Sequence, residues 1–406
     1  MLPILYLLII LIVIIILIKF HIDIGLVIFT GSILAAILFR IGVKEFFITF
    51  VQSVSSTDTL TLVGTVIFIK YFGALLEKRG DLSRMMNGFN SLVPDNRLSL
   101  VIPSSVIGLL PMPGGALVSA PMVQQSAITF GLKPAQKTFL NYWFRHVWEY
   151  FWPLYPGLIL ASTIIGVPIF VIARFQFPLS LVAILAGLIF GLKRIPFKEK
   201  SSTTKKVDGL KNLLCSTWHL IIIITLVLFF KINVLYIMAG VSVLVSLLTH
   251  LSKDAWKDAI KQAFDYRTII LLFSVMFFKS ILLNTGAINS ITGGLSPEGC
   301  SLWLLLFTAP FIVGLLTGIN HAYVGVSFSI LLPFFLQNGL NLPYIMFSYA
   351  SGFAGVLLSP VHLCLVLTKE YFKADFGKIY RHLIPPVVFV WLFALLMLFL
   401  YGKLSF

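Results

Sequence analysis

Long apolar runs alternate with short polar links along the whole chain. A helix needs about 20 apolar residues to cross a bilayer, and most of these runs approach that length. The pattern therefore predicts an all-α polytopic membrane protein with about 10 transmembrane helices. The predicted spans are Leu2–Ile18, Ile24–Phe39, Leu60–Leu76, 138–165, Pro178–Leu192, Leu213–Phe230, Val234–Thr249, Thr268–Leu283, 344–367 and Pro386–Tyr401.

One further apolar stretch contains a break that no continuous helix can hold. Two short arms, Leu98–Leu110 and Ala116–Phe130, meet at the sequence PMPGG over positions 111–115. Each proline removes a backbone donor, and the two glycines allow the chain to turn. In lipid, such unpaired backbone is tolerated only where protein buries it or where it lines a water-filled cavity. We therefore expect residues 98–130 to form a re-entrant hairpin, an element that carries substrate sites in secondary transporters.

The second half of the chain repeats this order of elements. A second hairpin is predicted over 299–336, and Lys70 and Pro153 have counterparts at Lys279 and Pro360. The offset drifts only from about 209 to about 206 residues, which indicates an internal repeat. Each half combines an odd number of crossings with one hairpin, so the halves must have inverted orientations in the membrane. The predicted division is a first repeat over 1–192, a basic linker over 193–211 and a second repeat over 212–406, with broken spans at 138–165 and 344–367.

Composition agrees with a membrane protein and excludes soluble classes. Of the 406 residues, 59% are hydrophobic and 11% are charged, whereas globular proteins carry about 25% charged residues. The net charge of +15 does not indicate a nucleic-acid partner, because Lys and Arg concentrate in the links between spans. The basic links fall on one side of the membrane when the linker 193–211 is placed in the cytoplasm, as the positive-inside rule expects. We expect a multi-pass protein of the cell (cytoplasmic) membrane with both chain ends outside.

Two motif positions in each half carry a family resemblance. They are PMPGG at 111–115 and WPLYP at 152–156, then TGINH at 317–321 and SPVH at 359–362. Together with the inverted halves, they make nearly the whole chain resemble the ion transporter superfamily of divalent anion symporters, gluconate permeases and citrate transporters, and most closely the DUF401 family of integral membrane proteins. The resemblance implies an elevator-type transporter that works as a homodimer, with hairpins and broken spans forming the moving domain. The sodium/dicarboxylate members carry Ser-Asn-Thr at both tips, and this chain lacks that triplet, so sodium coupling and dicarboxylate specificity are not carried over.

Ionisable residues inside the predicted spans are candidates for function, because charge in a membrane is costly. Arg145 and Glu149 are spaced to neutralise one another on one helical face. Glu149 is also the best candidate proton carrier, and His146 with Glu149 could bind a metal, although no further ligand lies near them in sequence. Lys70 and Lys279 occupy equivalent positions, where they either attract an anion or extend to headgroups and helix ends.

The hairpin tips and broken spans carry most of the predicted binding site. Half-helix N-termini that point inward bind anions through free N–H groups. The predicted substrate-binding residues are Pro113, Gly114, Gly115, Thr317, Gly318, Asn320, His321 and Ser359. His362 either titrates or satisfies free carbonyl groups. The aromatic cluster from Tyr142 to Tyr155 is interpreted as packing in preference to a substrate wall. No cofactor is expected, and the three cysteines lie far apart, without disulfide or metal spacing.

These features predict a secondary active transporter and not an enzyme. The cargo would be a small carboxylate-type anion, because basic side chains in the spans outnumber Glu149. H+ is favoured over Na+ as the coupling ion. The alternatives are a Na+-coupled anion symporter, a passive channel, or an intramembrane enzyme that uses His146, Glu149 and His321 on a lipid-like or peptide substrate. Alternating access explains two inverted hairpins, whereas catalysis gives no reason for them.

Overall fold

The regular structure of this protein is helical. The computed structural model describes residues 2–20, 22–93, 95–112, 114–193, 195–197, 206–249, 251–285, 300–337 and 339–402. Within those ranges there is no β-strand, and six helices are long and apolar enough to cross a membrane. They are Thr57–Lys78, Ile169–Leu192, Val207–Phe229, Lys253–Asn284, Leu342–Phe372 and Phe376–Tyr401. The prediction of an all-α, multi-pass membrane protein is confirmed, and other predicted spans fall on shorter apolar helices such as Ile24–Leu38.

The first half of the chain begins its helices with polar caps or prolines. The side chain of Asp23 accepts a hydrogen bond from Gly25 N, and that of Ser56 accepts one from Thr59 N, which satisfies amide groups that a helix start leaves free. The helices are α1 (Leu2–Lys19), α2 (Ile24–Leu38), α3 (Val43–Ser55), α4 (Thr57–Lys78), α5 (Asp81–Leu92), α6 (Ile102–Ile107), α7 (Gly115–Ile128), α8 (Pro134–His146), α9 (Pro156–Ile165) and α10 (Ile169–Gly187).

The second half starts inside the predicted linker. Residues 206–211 of the predicted linker 193–211 belong to a helix, and 198–205 lie outside the described residues. A π turn, Val324–Phe328, interrupts one of these helices. The helices are α11 (Lys206–Ile224), α12 (Val234–Leu247), α13 (Lys253–Ala263), α14 (Tyr266–Asn284), α15 (Cys300–Thr317), α16 (Asn320–Leu336), α17 (Leu342–Leu358), α18 (Leu363–Phe372) and α19 (Phe376–Gly402).

The break in the first broken span begins earlier than the sequence suggested. Arg145 and Glu149 were expected on one helix ahead of the break, but α8 ends at His146 and α9 begins only at Pro156. Glu149 therefore lies within the break. Pro153 explains the difference, because its ring excludes the carbonyl of the residue four positions earlier, which is Glu149. The second break, between Leu358 and Leu363, lies where it was predicted.

Aromatic side chains hold the broken backbone of the first hairpin. Helix α6 is short, and its last carbonyl groups have no partner within the helix. Indole and phenol groups from the first break donate to these carbonyl groups. The hydrogen bonds run from Trp148 Nε1 to Ser105 O (2.8 Å), from Trp152 Nε1 to Leu109 O (2.9 Å) and from Tyr155 Oη to Gly108 O (2.6 Å). Much of the aromatic cluster thus joins the first break to the hairpin.

Two glycines bring the hairpins into backbone contact with the broken spans. A Cβ at Gly108 would collide with the carbonyl oxygen of Arg145, and a Cβ at Gly314 would collide with that of Gly352. Glycine is the residue that permits such close approach. The first arm of each hairpin, α6 or α15, therefore packs directly on the first part of a broken span, α8 or α17.

Candidate substrate site

A cavity of about 560 Å³ lies where the two hairpin tips meet the two breaks. Tip residues of both hairpins line it, and so do residues of both broken spans. Four helices of the hairpins and broken spans begin at its wall, namely α7, α9, α16 and α18, and α2 and α14 also begin there. The first turn of each helix has free N–H groups and a partial positive charge. The cavity is therefore suited to an anionic ligand.

Arg145 is the buried cation of this cavity, with 3% of its surface exposed. Its Nη2 donates to the carbonyl oxygen of Met112 at 2.5 Å, which ties α8 to the first hairpin tip. Its Nε has no hydrogen-bond partner among the described residues. A Cβ at Gly115 would lie 3.2 Å from both Nε and Nη2, so glycine leaves space beside the guanidinium group. Arg145 thus holds a buried N–H group that has no partner among the described residues.

Glu149 connects the first break to the tip of the second hairpin. Its Oε2 accepts a hydrogen bond from Asn320 Nδ2 at 3.1 Å, and its backbone carbonyl accepts one from Tyr349 Oη at 3.0 Å. Its Oε1 lies 3.8 Å from Arg145 Nη1. The carboxylate is buried, and it balances the charge of Arg145 while holding Asn320 in place.

Gly157 lies against Asn320, which leads to a testable expectation. A Cβ at position 157 would overlap Asn320 Oδ1. We expect Gly157→Ala to push Asn320 away from Glu149 and to lower the free energy of unfolding by about 1–3 kcal/mol, as overpacked sites do. Thermal unfolding of the purified protein measures this change. Gly42→Ala is the control, because no described atom lies within 4 Å of a Cβ there; equal stability of the two variants would contradict the expectation.

Two histidines from opposite halves of the chain face one another at the cavity. His146 Nε2 lies 3.1 Å from His362 Nε2. The Nδ1 atom of each ring lies against a backbone carbonyl oxygen, that of Tyr142 at 2.6 Å for His146 and that of Gly318 at 2.5 Å for His362. The rings are thus held in place by the ends of α8 and α15.

The two predicted lysines have different surroundings. Lys70 lines the cavity, where its Nζ lies 2.6 Å from Asp265 Oδ2 and donates to Thr268 Oγ1 at 2.8 Å. Lys279 donates to the carbonyl oxygen of Thr163 at 2.9 Å and so caps the end of α9. A neighbouring cavity of about 410 Å³ shares Lys70 and Asp265 with the first cavity. Only Lys70 belongs to the candidate site.

Most of the predicted site residues converge on the first cavity. Gly114 begins α7 in the left-handed conformation, with φ of +70°, and Gly318 has φ of +62° at the other tip. Pro113 lies outside the described residues, Gly115 lines the neighbouring cavity, and Ser359 is buried away from the wall. The predicted residues that line the first cavity are Lys70, Gly114, Arg145, His146, Glu149, Thr317, Gly318, Asn320, His321 and His362.

Sequence reasoning missed several residues of this site. Cys364 lines the cavity beside the two histidines, and its position two residues after His362 at a helix start was the signal available. Asp265 also lines the cavity, and a carboxylate just before an apolar run is a recognisable helix cap. The carbonyl oxygens of Met112 and Gly318 left no signal, because backbone atoms carry no sequence pattern.

Comparison with known proteins identifies one family for this chain. The family model described as "Protein of unknown function (DUF401)" matches residues 1–401. No curated protein matches the chain significantly. Since the family model covers nearly the whole sequence, this chain belongs to the DUF401 family.

Proposed function

We propose that this protein is a secondary active transporter that moves a small carboxylate-type anion across the cell membrane by alternating access. The observation that carries the proposal is the unpaired Nε of Arg145, buried at a cavity where helices of both hairpins and both broken spans begin. A carboxylate is the ligand that a guanidinium edge and free helix N–H groups both favour. The cavity is large enough for a small organic anion.

Matching contacts in the two halves support an inverted repeat. The hydroxyl of Tyr142, on α8, donates to the backbone carbonyl of Leu357, at the end of α17, at 3.0 Å. The hydroxyl of Tyr349, on α17, donates to the backbone carbonyl of Glu149, beyond the end of α8, also at 3.0 Å. The two tyrosines occupy equivalent positions in the two halves, because the halves are offset by about 206 to 209 residues. Gly108 and Gly314 are also equivalent at this offset, and so are the residues that they contact, Arg145 and Gly352. Paired contacts of this kind are expected where two repeats cross at a transport site.

We propose that the hairpins and broken spans move together, as in an elevator, and that the protein forms a homodimer. The cavity reaches Asp23 and Arg267, which lie in links assigned to the cytoplasmic side by the distribution of Lys and Arg. The structure then corresponds to an inward-open state. The proposal keeps the linker in the cytoplasm, both chain ends outside and H+ as the coupling ion, with Na+ as the alternative.

Ligand-dependent stability is the direct test of this proposal. A ligand present at 100 times its Kd adds about 2.7 kcal/mol to the free energy of unfolding. We expect one small carboxylate from a chemically varied panel to raise the melting temperature of the purified protein and to enter proteoliposomes saturably. A pH gradient should drive that uptake and a Na+ gradient should not. Lys279→Gln, which lies away from the cavity, should behave as the wild type.

Three results would contradict the proposal. Uptake that never saturates and ignores both gradients would indicate a channel. Consumption of the test compound without uptake would indicate an enzyme. If Na+ is the one addition that raises the melting temperature, the coupling ion is Na+ and the proposal of proton coupling is wrong.

A further inference from the structure

A cluster of nitrogen and sulfur ligands spans the two halves of the chain at the cavity. It consists of His146 at the end of α8, His362 in the second break and Cys364 in the first turn of α18. One ligand atom from each residue lies within 4.8 Å of the other two. His146 and Cys364 are buried, and all three residues line the cavity, so an ion could reach them from solution.

The hydrogen bonds of the two rings determine which nitrogen atoms carry protons. Each Nδ1 faces a carbonyl oxygen, which only accepts hydrogen bonds, so each neutral ring carries its proton on Nδ1. Both Nε2 atoms then direct lone pairs at each other across 3.1 Å. Such a contact is repulsive unless a positive charge lies between the two atoms. Histidines that bind metals donate their other N–H to a carbonyl or carboxylate in the same way.

The separation of the two histidine nitrogen atoms fits a tetrahedral ion. Zinc–nitrogen bonds of about 2.0–2.1 Å place two coordinating nitrogen atoms about 3.3 Å apart, close to the observed separation of the two Nε2 atoms. A thiolate and two imidazoles form a donor set that suits Zn²⁺ and related ions. Glu149 Oε1 lies 3.8 Å from His146 Nε2, which places a negative charge beside the cluster.

We propose that His146, His362 and Cys364 bind one divalent transition-metal ion of the Zn²⁺ type at this cavity. Binding releases the thiol proton of Cys364 to solvent and forms one metal–sulfur and two metal–nitrogen bonds. Arg145 Nη1, 3.5 Å from His146 Nε2, opposes a second cation. The negative charges of the thiolate and of Glu149 offset the two charges of the ion. The proposal stands independently of anion transport, because it rests on the ligand set alone.

Cobalt binding to the full-length purified protein tests this site without any transport measurement. Co²⁺ substitutes for Zn²⁺, and coordination by a thiolate produces a charge-transfer absorption band that other ligands do not produce. Cys215→Ser/Cys300→Ser serves as the parent variant, so that Cys364 is the only thiol in the protein. We expect saturation of the band at one equivalent of Co²⁺, and loss of the band when Zn²⁺ is added.

Variants of the cluster locate the ion. Cys364→Ser should abolish the charge-transfer band, and His362→Gln should weaken Co²⁺ binding more than about 100-fold, since it removes a direct ligand. His321→Gln is the matched control, because His321 lines the same cavity outside the cluster and should bind normally. His362→Gln also keeps the test valid if Cys364→Ser does not fold. The proposal is overturned if the folded parent protein shows no saturable band; a proton shared between the two rings would then explain their close contact. It is also overturned if the band persists unchanged in His362→Gln.

Discussion

Arg145→Gln is expected to abolish both anion-dependent stabilisation and uptake. The substitution removes the buried guanidinium, with its unpaired Nε, from the wall of the cavity, and it breaks the hydrogen bond to the carbonyl of Met112. It also leaves the buried carboxylate of Glu149 without its cationic partner. Removal of one partner from a buried ion pair typically lowers the free energy of unfolding by about 3–5 kcal/mol. Loss of stability and loss of binding must therefore be separated.

The double variant Arg145→Gln/Glu149→Gln makes that separation. Both charges are absent, so most of the lost stability should return, as measured by thermal unfolding without ligand. Uptake and anion-dependent stabilisation should remain absent, because the cation that binds the anion is still missing. Arg145→Lys should restore charge but not the planar group that donates to Met112 and to the anion, leaving weak binding. Normal saturable uptake by the double variant would exclude Arg145 from substrate binding.

Gly314→Ala is expected to be among the most destabilising substitutions that add a single methyl group. The new Cβ would collide with the carbonyl oxygen of Gly352, so α15 must move away from α17. Backbone cannot rotate aside as a side chain can, and we expect a loss of about 3 kcal/mol or more in the free energy of unfolding. Gly108→Ala, which meets the carbonyl of Arg145, should give a loss of similar size.

Gly240→Ala is the matched control for these two variants. Gly240 also lies within a helix, α12, but no described atom lies within 4 Å of a Cβ there. Alanine is a better helix former than glycine by about 1 kcal/mol, so the control should be as stable as the wild type or more stable. Melting temperatures of the three variants in the same detergent make the comparison. If Gly314→Ala matched Gly240→Ala, the close packing of α15 on α17 would be wrong.

The helices and both hairpin tips could be predicted because apolar runs, proline and glycine leave local signals. The PMPGG sequence ends α6 and starts α7 close to where its prolines and glycines require. The early end of α8 was missed because the effect of Pro153 on Glu149 acts four residues upstream. The sequence left two roles open for Lys279, since only packing decides whether a lysine in a span faces a cavity or the end of α9.

Contacts between distant parts of the chain could not be predicted. Asn320 and Glu149 are far apart in sequence, and so are His146 and Cys364. Their meeting depends on how the two broken spans cross, which a single sequence does not encode in any local pattern. The individual residues were recognisable by chemical type, apart from Cys364 and Asp265, but their arrangement around Arg145 required the folded structure.

The aromatic donors of the first break have a mechanical consequence. Because Trp148, Trp152 and Tyr155 are hydrogen-bonded to the end of α6, the interruption in the helix is stiffened by side chains and cannot act as a hinge. Any rotation of this unit must be taken up at its boundary. Gly166, between α9 and α10, has φ of +80°, and no described atom lies within 4 Å of a Cβ there. In the proposed transport cycle, we therefore expect the first half to pivot at Gly166, at the end of the broken span, while the hydrogen-bonded break moves as a rigid unit.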